Sequence, residues 1–368
     1  MHCIETISSG GVERVRLTYA SKLDRDTYQL KIVCTQAKGK ILSELNRLGI
    51  EVIPIGTFAH PLEVRKYQAL LQVIRKYKPH IIHGAVFEGN SMAFVGKVIG
   101  RVPIAILEET SDPIGRSKRA THLLSFYSRF VEAVIGISPA VVDYLRNQAK
   151  MSESKVTLLP NGLNIPAESA PEFIKSLKAT MGITERDVVI GAVGRVYNHV
   201  KRFSDIIDAL HLLTIPRLKF LLVGDGPDLE QLRARVNKLG LEERVHFLGY
   251  QEDPAPYYSI MDIFCVPSHQ EGFGLVAVEA MLHKLPVIAS RVGGLKGIVA
   301  EGVSGFLVHP GCYQELASKI RVLYESPELR RKFGENGYKI GMENYSSDVY
   351  VENIDRLYRR LLQKKGII

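Results

Sequence analysis

Short aliphatic runs alternate with amphipathic stretches along nearly the whole chain, and this alternation narrows its possible folds more than any other feature. Residues 28–34 (YQLKIVC) read as a strand, 42–48 as a helix and 51–55 as a second strand. A helical stretch over 62–77 leads into 80–83, and 104–107, 133–137 and 156–159 follow as short buried strands. Strands apolar on both faces and separated by helices call for a parallel sheet covered on both sides. The rhythm breaks at 160–168 (PNGLNIPAE), where proline and glycine mark a hinge. It resumes with strand-like runs at 188–194, 219–224, 245–249, 263–266 and 285–289. The expectation is an α/β chain of two facing Rossmann-like domains, 1–164 and 165–345. Residues 346–368 form a closing helix that packs back towards the first domain. In such a pair a ligand lies in the interdomain cleft, at the carboxyl ends of the strands.

Composition fits this and removes several alternatives. A chain of 368 residues, 46% hydrophobic and 24% charged, is long enough for two cores. It contains no apolar run of 18 residues, so no transmembrane helix is expected. The start, MHCIET, lacks the basic and apolar regions of a signal peptide. Cys3, Cys34, Cys265 and Cys312 are scattered without metal-ligand spacing, which reads as buried thiols in a reducing compartment rather than a zinc site. A cytoplasmic setting follows, including the cytoplasmic face of a membrane. The net charge of +9 implies an anionic partner. A nucleoside diphosphate and an anionic membrane surface rank ahead of nucleic acid, for which no motif is visible. Residues 116–130 mix basic and large apolar residues at helical spacing. They read either as a helix lying on an anionic membrane or as a core-packing helix with a basic outer edge.

Three stretches carry chemistry. In residues 267–280 (PSHQEGFGLVAVEA) an apolar strand runs through a glycine-bearing loop into an apolar helix. Gly272 and Gly274 allow close backbone approach, and the N–H groups at the helix start near Phe273, Gly274 and Leu275 favour an anionic or hydroxyl-rich ligand. Glu271 in the loop and Glu279 in the helix reach opposite ends of such a ligand, as suits the vicinal hydroxyls of a ribose and a sugar ring. Upstream, Arg195 ends the first strand of the second domain and Lys201 follows a turn. Together they fit a diphosphate, or else form a surface pair. Residues 223–229 (VGDGPDL) look like a dinucleotide turn but lack the third glycine, and read as structural. The triplet Asp24-Arg25-Asp26 reads as a plain turn rather than a metal site.

In order and spacing, five segments resemble the family-4 retaining glycosyltransferases of the GT-B fold. They are 8–14 (SSGGVER), the hinge Pro160-Asn161-Gly162, Gly194-Arg195 with Lys201, the Glu271/Glu279 stretch, and Gly293-Gly294 followed by 301–308 (EGVSGFLV). The resemblance implies sugar transfer from a nucleoside diphosphate sugar to a hydroxyl of a glycan or lipid-linked acceptor, with retained configuration and no metal or other cofactor. It implies that Gly11 sits against the donor diphosphate, that Arg195 and Lys201 hold it, that Glu271 contacts the sugar and that Glu279 binds the ribose. Ser138 and Asn161 would shape the acceptor side. Two departures stand out. Where the family often has a histidine, residues 108–112 (EETSD) stand, with Glu109 and His83 as the candidates to replace it. After the glycine pair, Lys296-Gly297 replaces the usual Pro-Glu step. A non-catalytic nucleotide-binding subunit and a sugar-nucleotide epimerase remain the alternatives.

Overall fold

The computed structural model describes residues 1–57, 63–167 and 169–368; the expected helix start at Leu62 and the hinge residue Glu168 lie outside these. Met1–Asn164 together with Asn344–Ile368 form one compact unit, and Ile165–Glu343 form a second.

Among the described residues of the first unit, seven strands build one parallel sheet: β1 (His2–Ile7), β2 (Lys31–Ala37), β3 (Glu51–Pro54), β4 (Ile81–Ala85), β5 (Ile104–Glu109), β6 (Ala133–Gly136) and β7 (Val156–Leu158). Their order is β3-β2-β1-β4-β5-β6-β7, every neighbour parallel. The order reverses between β1 and β4, the place where an open α/β sheet leaves a crevice beyond its carboxyl ends. The second unit repeats this plan with β8 (Val188–Val193), β9 (Leu218–Val223), β10 (Val245–Phe247), β11 (Ile263–Val266), β12 (Val287–Ser290) and β13 (Gly305–Val308). Its order is β10-β9-β8-β11-β12-β13, with the reversal between β8 and β11. Both sheets have the expected Rossmann-like form.

Two strands escaped the sequence reading. β1 interleaves His2, Glu5 and Thr6 with apolar residues, so no apolar run announces it. It is nevertheless central, paired with both β2 and β4. β13 is four residues long and begins with a glycine whose Cβ would collide with the Val287 backbone. Elsewhere the strands fall where expected, within a few residues.

The first unit closes on its own carboxyl-terminal helix, Ser347–Lys364. Tyr358 of that helix places its hydroxyl 2.8 Å from His2 Nε2 and 2.7 Å from His83 Nδ1. His83 Nε2 lies 3.0 Å from Glu108 Oε2, and that carboxylate pairs with Arg16 of the helix Gly11–Lys22. All of these groups are buried. The ionised Arg16 guanidinium offsets the cost of burying Glu108, holding its carboxyl at about 2 against an ordinary 4.5. Burial first, and then the Arg16 charge, lowers the pKa of His2 below 6.5; burial does the same for His83, with Arg16 adding to it.

Stability is therefore expected to fall in acid. In the unfolded chain both imidazoles bind a proton near pH 6.5, whereas the folded chain resists doing so. The unfolded state then holds more protons, so stability present above about pH 6.5 is lost as pH drops below it, by at most about 1.4 kcal/mol per pH unit for each group and only down to its folded pKa. Glu108 adds a further loss between 4.5 and about 2. Urea unfolding at pH 7, 6 and 5 should show this slope, and His83→Gln should flatten it. An unchanged slope in that variant would assign the acid sensitivity to other groups.

Candidate active site

In the second unit, the strand-order reversal sends the loops after β8 and β11 in opposite directions from adjacent strands. β8 is followed by Gly194, whose φ of +152° only glycine adopts readily and whose N–H donates to the Val223 carbonyl at 3.0 Å. Arg195 follows, exposed. The turn at 223–229 is a prop for this loop, as read from its sequence. The Asp225 carbonyl accepts from the Val196 N–H at 2.9 Å, and Asp228 Oδ2 from the Asn198 N–H at 2.7 Å. A Cβ at Gly224 would collide with the Gly194 carbonyl, so two glycines are packed against each other.

A short helix, Asn198–Lys201, then ends between two neighbouring cations, Lys201 and Arg202. Arg202 takes a left-handed conformation (φ +53°) and forms two 2.8 Å bonds to Asp205, in the first turn of the helix Phe203–Leu213. Its charge is used in place. Lys201 instead donates to Glu271 Oε2 at 2.7 Å. The backbone enforces this meeting, because the His269 N–H donates to the Val200 carbonyl at 2.7 Å and fastens the loop after β11 to the short helix. Both side chains are only partly buried, at 26% and 16% exposure, so the pair remains open to a ligand.

The glycine loop is built for close packing. The Gly294 N–H donates to the Glu271 carbonyl at 3.0 Å, and a Cβ on Gly294 would collide with the Phe273 backbone. Phe273 is buried, and Gly274 (φ +112°) starts the helix Leu275–Leu282. On that helix Glu279 accepts a 2.7 Å hydrogen bond from the Tyr258 hydroxyl. Tyr258 and His283, which stack with ring centroids 4.7 Å apart, were not singled out in the sequence. No spacing rule marks a tyrosine that meets its carboxylate 21 residues later. Lys296 and Gly297 are exposed on the short helix Leu295–Ile298 that follows the glycine pair.

In the first unit, Gly11 is the exposed first residue of its helix, capped by Gly10 without a side-chain bond. Glu13 accepts from Thr6 Oγ1 at 3.0 Å and Ser8 Oγ at 3.3 Å, placing a carboxylate in the first helical turn, where the helix dipole favours it. The acceptor-side candidates are held by different partners. His83 is not at a strand end, as expected, but inside the sheet, paired in register with His2 and Ile106. It is 1% exposed, which corrects the view of it as a group open to an acceptor. Nor are the two glutamates that open the 108–112 stretch exposed. Glu109 is buried, with Oε1 accepting from Arg116 at 2.6 Å and from the Ser111 N–H at 2.9 Å. Burial raises its pKa, against the pull of Arg116. Ser138 caps the helix Pro139–Asp143, and Asn161 is buried in the hinge segment. Asp24 closes a local turn through the Asp26 and Thr27 N–H groups, as read from the triplet. Among the described residues, no group of three or more His, Cys, Asp or Glu is placed to hold a metal ion.

Residues 116–130 are helical only over Lys118–Ser128, and Arg116 is committed to Glu109. Arg119, His122 and Phe126 are exposed at helical spacing, followed by exposed Arg129 and Phe130. Phe126 and Phe130 are 45% and 44% exposed, and both touch Phe94, with centroids 5.7 and 5.5 Å away. No described helix is long and apolar enough to cross a membrane.

Comparison with known proteins accounts for both units. Residues 10–162 match the model of the glycosyl transferase 4-like domain, and residues 174–340 that of glycosyl transferases group 1. N-acetyl-alpha-D-glucosaminyl L-malate synthase of Bacillus anthracis is 32% identical over 51% of this chain, a match spanning about half (49%) of that relative. The capsular polysaccharide biosynthesis glycosyltransferase CapM of Staphylococcus aureus is 23% identical over 99% of this chain and 97% of its own length. Among solved structures, Anabaena HepE in complex with UDP-glucose superposes with a TM-score of 0.83 at 25% identity, over 98% of this chain and all (100%) of HepE. With the 4-like domain in the first unit and the group 1 domain in the second, the chain belongs to the family-4, group 1 glycosyltransferases of the GT-B fold.

Proposed function

We propose that this glycosyltransferase moves a sugar from a nucleoside diphosphate sugar to a hydroxyl acceptor, with retention of anomeric configuration and without a metal. The observation that carries the donor half is the Lys201–Glu271 pair beside glycine loops at the strand-order reversal of the second unit. A diphosphate brings more negative charge than one carboxylate, so it takes Lys201 as its partner and leaves Glu271 to accept hydroxyl hydrogens from the sugar. Arg195, exposed on the neighbouring loop, adds the second cation. As the glycosidic bond breaks, the two cations and the N–H groups at the start of the Leu275–Leu282 helix stabilise the departing diphosphate. Glu279 binds the ribose. The similarity to HepE, crystallised with UDP-glucose, supports uridine as the base.

The acceptor is a glycan or lipid-linked hydroxyl, and the first unit meets an anionic membrane through its exposed Arg119–His122–Phe126–Arg129–Phe130 stripe. Aromatic rings entering the interface with arginines beside them suit the acyl–headgroup boundary. Capsular polysaccharide biosynthesis, the setting of the similar CapM, is consistent with such an acceptor.

Thermal unfolding with UDP, GDP, ADP and dTDP tests the donor half. One diphosphate at about a hundred times its dissociation constant should add about 2.7 kcal/mol to stability. Arg195→Ala or Lys201→Ala should abolish that shift and reduce turnover of the matching nucleotide sugar on the order of a hundredfold. EDTA should leave the rate unchanged, and the product anomer should match the donor. A folded protein that binds none of the four would sink the donor assignment.

Vesicle sedimentation tests the membrane half. Binding to phosphatidylglycerol vesicles should exceed binding to phosphatidylcholine and fall with salt, and the pair Phe126→Ser and Phe130→Ser should remove most of it. Equal binding to both lipids, or none, would remove the membrane from this reading.

A further inference from the structure

We propose that Tyr258 is a positioning residue for the ribose end of the donor pocket: it fixes the Glu279 carboxylate in the orientation that accepts the ribose hydroxyls. The inference rests on the donor reading above and adds to it the group that makes Glu279 selective.

A glutamate side chain on a helix turns about three bonds, and a carboxylate free to turn must be ordered each time a nucleotide binds. Glu279 is partly exposed, so burial alone does not orient its carboxylate. Tyr258 helps to do so. Its hydroxyl donates to Glu279 Oε2 at 2.7 Å, a short bond of the charge-assisted kind. The phenol itself cannot swing. It is 1% exposed, tilted against Phe264 of β11 at 5.3 Å and stacked on His283 at 4.7 Å with 18° between the planes.

His283 closes the arrangement from behind. Its Nδ1 lies 2.8 Å from the carbonyl oxygen of Glu279 itself. Burial lowers the His283 pKa, which favours the neutral ring; with its proton on Nδ1, that ring donates to this carbonyl while stacking on the phenol. The backbone and the carboxylate of Glu279 are thus gripped by two stacked rings from opposite ends of the segment 258–283. A rival account makes Glu279 the servant: a buried tyrosine hydroxyl needs a partner, and any acceptor would do. The two accounts differ in what removal of the hydroxyl changes.

Tyr258→Phe keeps the stack and removes only the hydroxyl. Binding of UDP and of 2′,3′-dideoxy-UDP, which lacks both ribose hydroxyls, should be measured by calorimetry for the wild type, Tyr258→Phe, Glu279→Gln and the double variant. The wild type should prefer UDP. Tyr258→Phe should weaken UDP about tenfold while leaving the dideoxy form unchanged, so the preference shrinks by the same factor. The double variant should be no worse than Glu279→Gln alone, because the tyrosine acts through the glutamate. A Tyr258→Phe variant that weakens both nucleotides equally, or neither, would overturn the proposal and leave a structural hydroxyl. If the wild type binds UDP without preferring it over the dideoxy form, and Glu279→Gln binds it as well as the wild type, the ribose role of Glu279 fails instead. No UDP binding by the wild type would remove the uridine donor reading beneath both.

Discussion

Parallel pairing of β8 with β11, two strands separated in sequence by two others, is the constraint on which the candidate donor site depends. Successive right-handed crossovers add β9 and β10 on one side of β8, and β12 and β13 beyond β11 on the other. The connections leaving β8 and β11 must therefore part, and a gap opens above the two strands. Everything else at the site is fitted to that gap. Glycines at 194, 224, 274 and 294 let loop backbones pack where any side chain would collide or strain the chain. The His269–Val200 backbone bond then ties the two loops across it, which sets Lys201 against Glu271.

The first unit solves a different problem. Its sheet also reverses order, between β1 and β4, but the polar groups nearest that reversal are turned inward. Arg16, Glu108, His83, His2 and Tyr358 come from a helix, three strands and the carboxyl-terminal helix, and all are buried. A buried ion pair costs desolvation that its own attraction repays only with good geometry and further hydrogen bonds, so such a network favours one arrangement strongly over its alternatives. Its effect is to fix the register between the sheet, the helix that starts at Gly11 and the helix Ser347–Lys364. His83, a candidate for the family histidine by sequence, is here part of the network that holds the fold together.

That contrast explains what could be read from the sequence. The alternation of strands and helices is local, so the fold class was legible, and so were the glycine turns at 194 and 272–274. β1 was missed because polar residues interrupt its apolar ones, and β13 because four residues give no pattern. Charged residues were harder. Glu108 follows an apolar strand, as a loop carboxylate at a ligand edge would, yet its partner Arg16 lies 92 residues away. Neither residue type nor spacing tells a buried pair from an accessible one. His83 is misleading in a similar way, since it ends an apolar run but the strand continues to Ala85.

Lys201 and Arg202 show how structure separates residues that sequence leaves equivalent. Both are cations at the same turn, and either is a candidate for a diphosphate by charge alone. Arg202 adopts a left-handed conformation, and its planar guanidinium meets Asp205 through two parallel bonds, a geometry that an arriving anion would have to break twice. Lys201 meets Glu271 through one nitrogen on a flexible stem, about a quarter (26%) exposed to solvent. A single point contact of this kind exchanges partners at small cost, and the released carboxylate remains within the same site. A cation that must hand itself to a ligand, and a carboxylate that must be freed by the same event, are served better by a lysine than by an arginine.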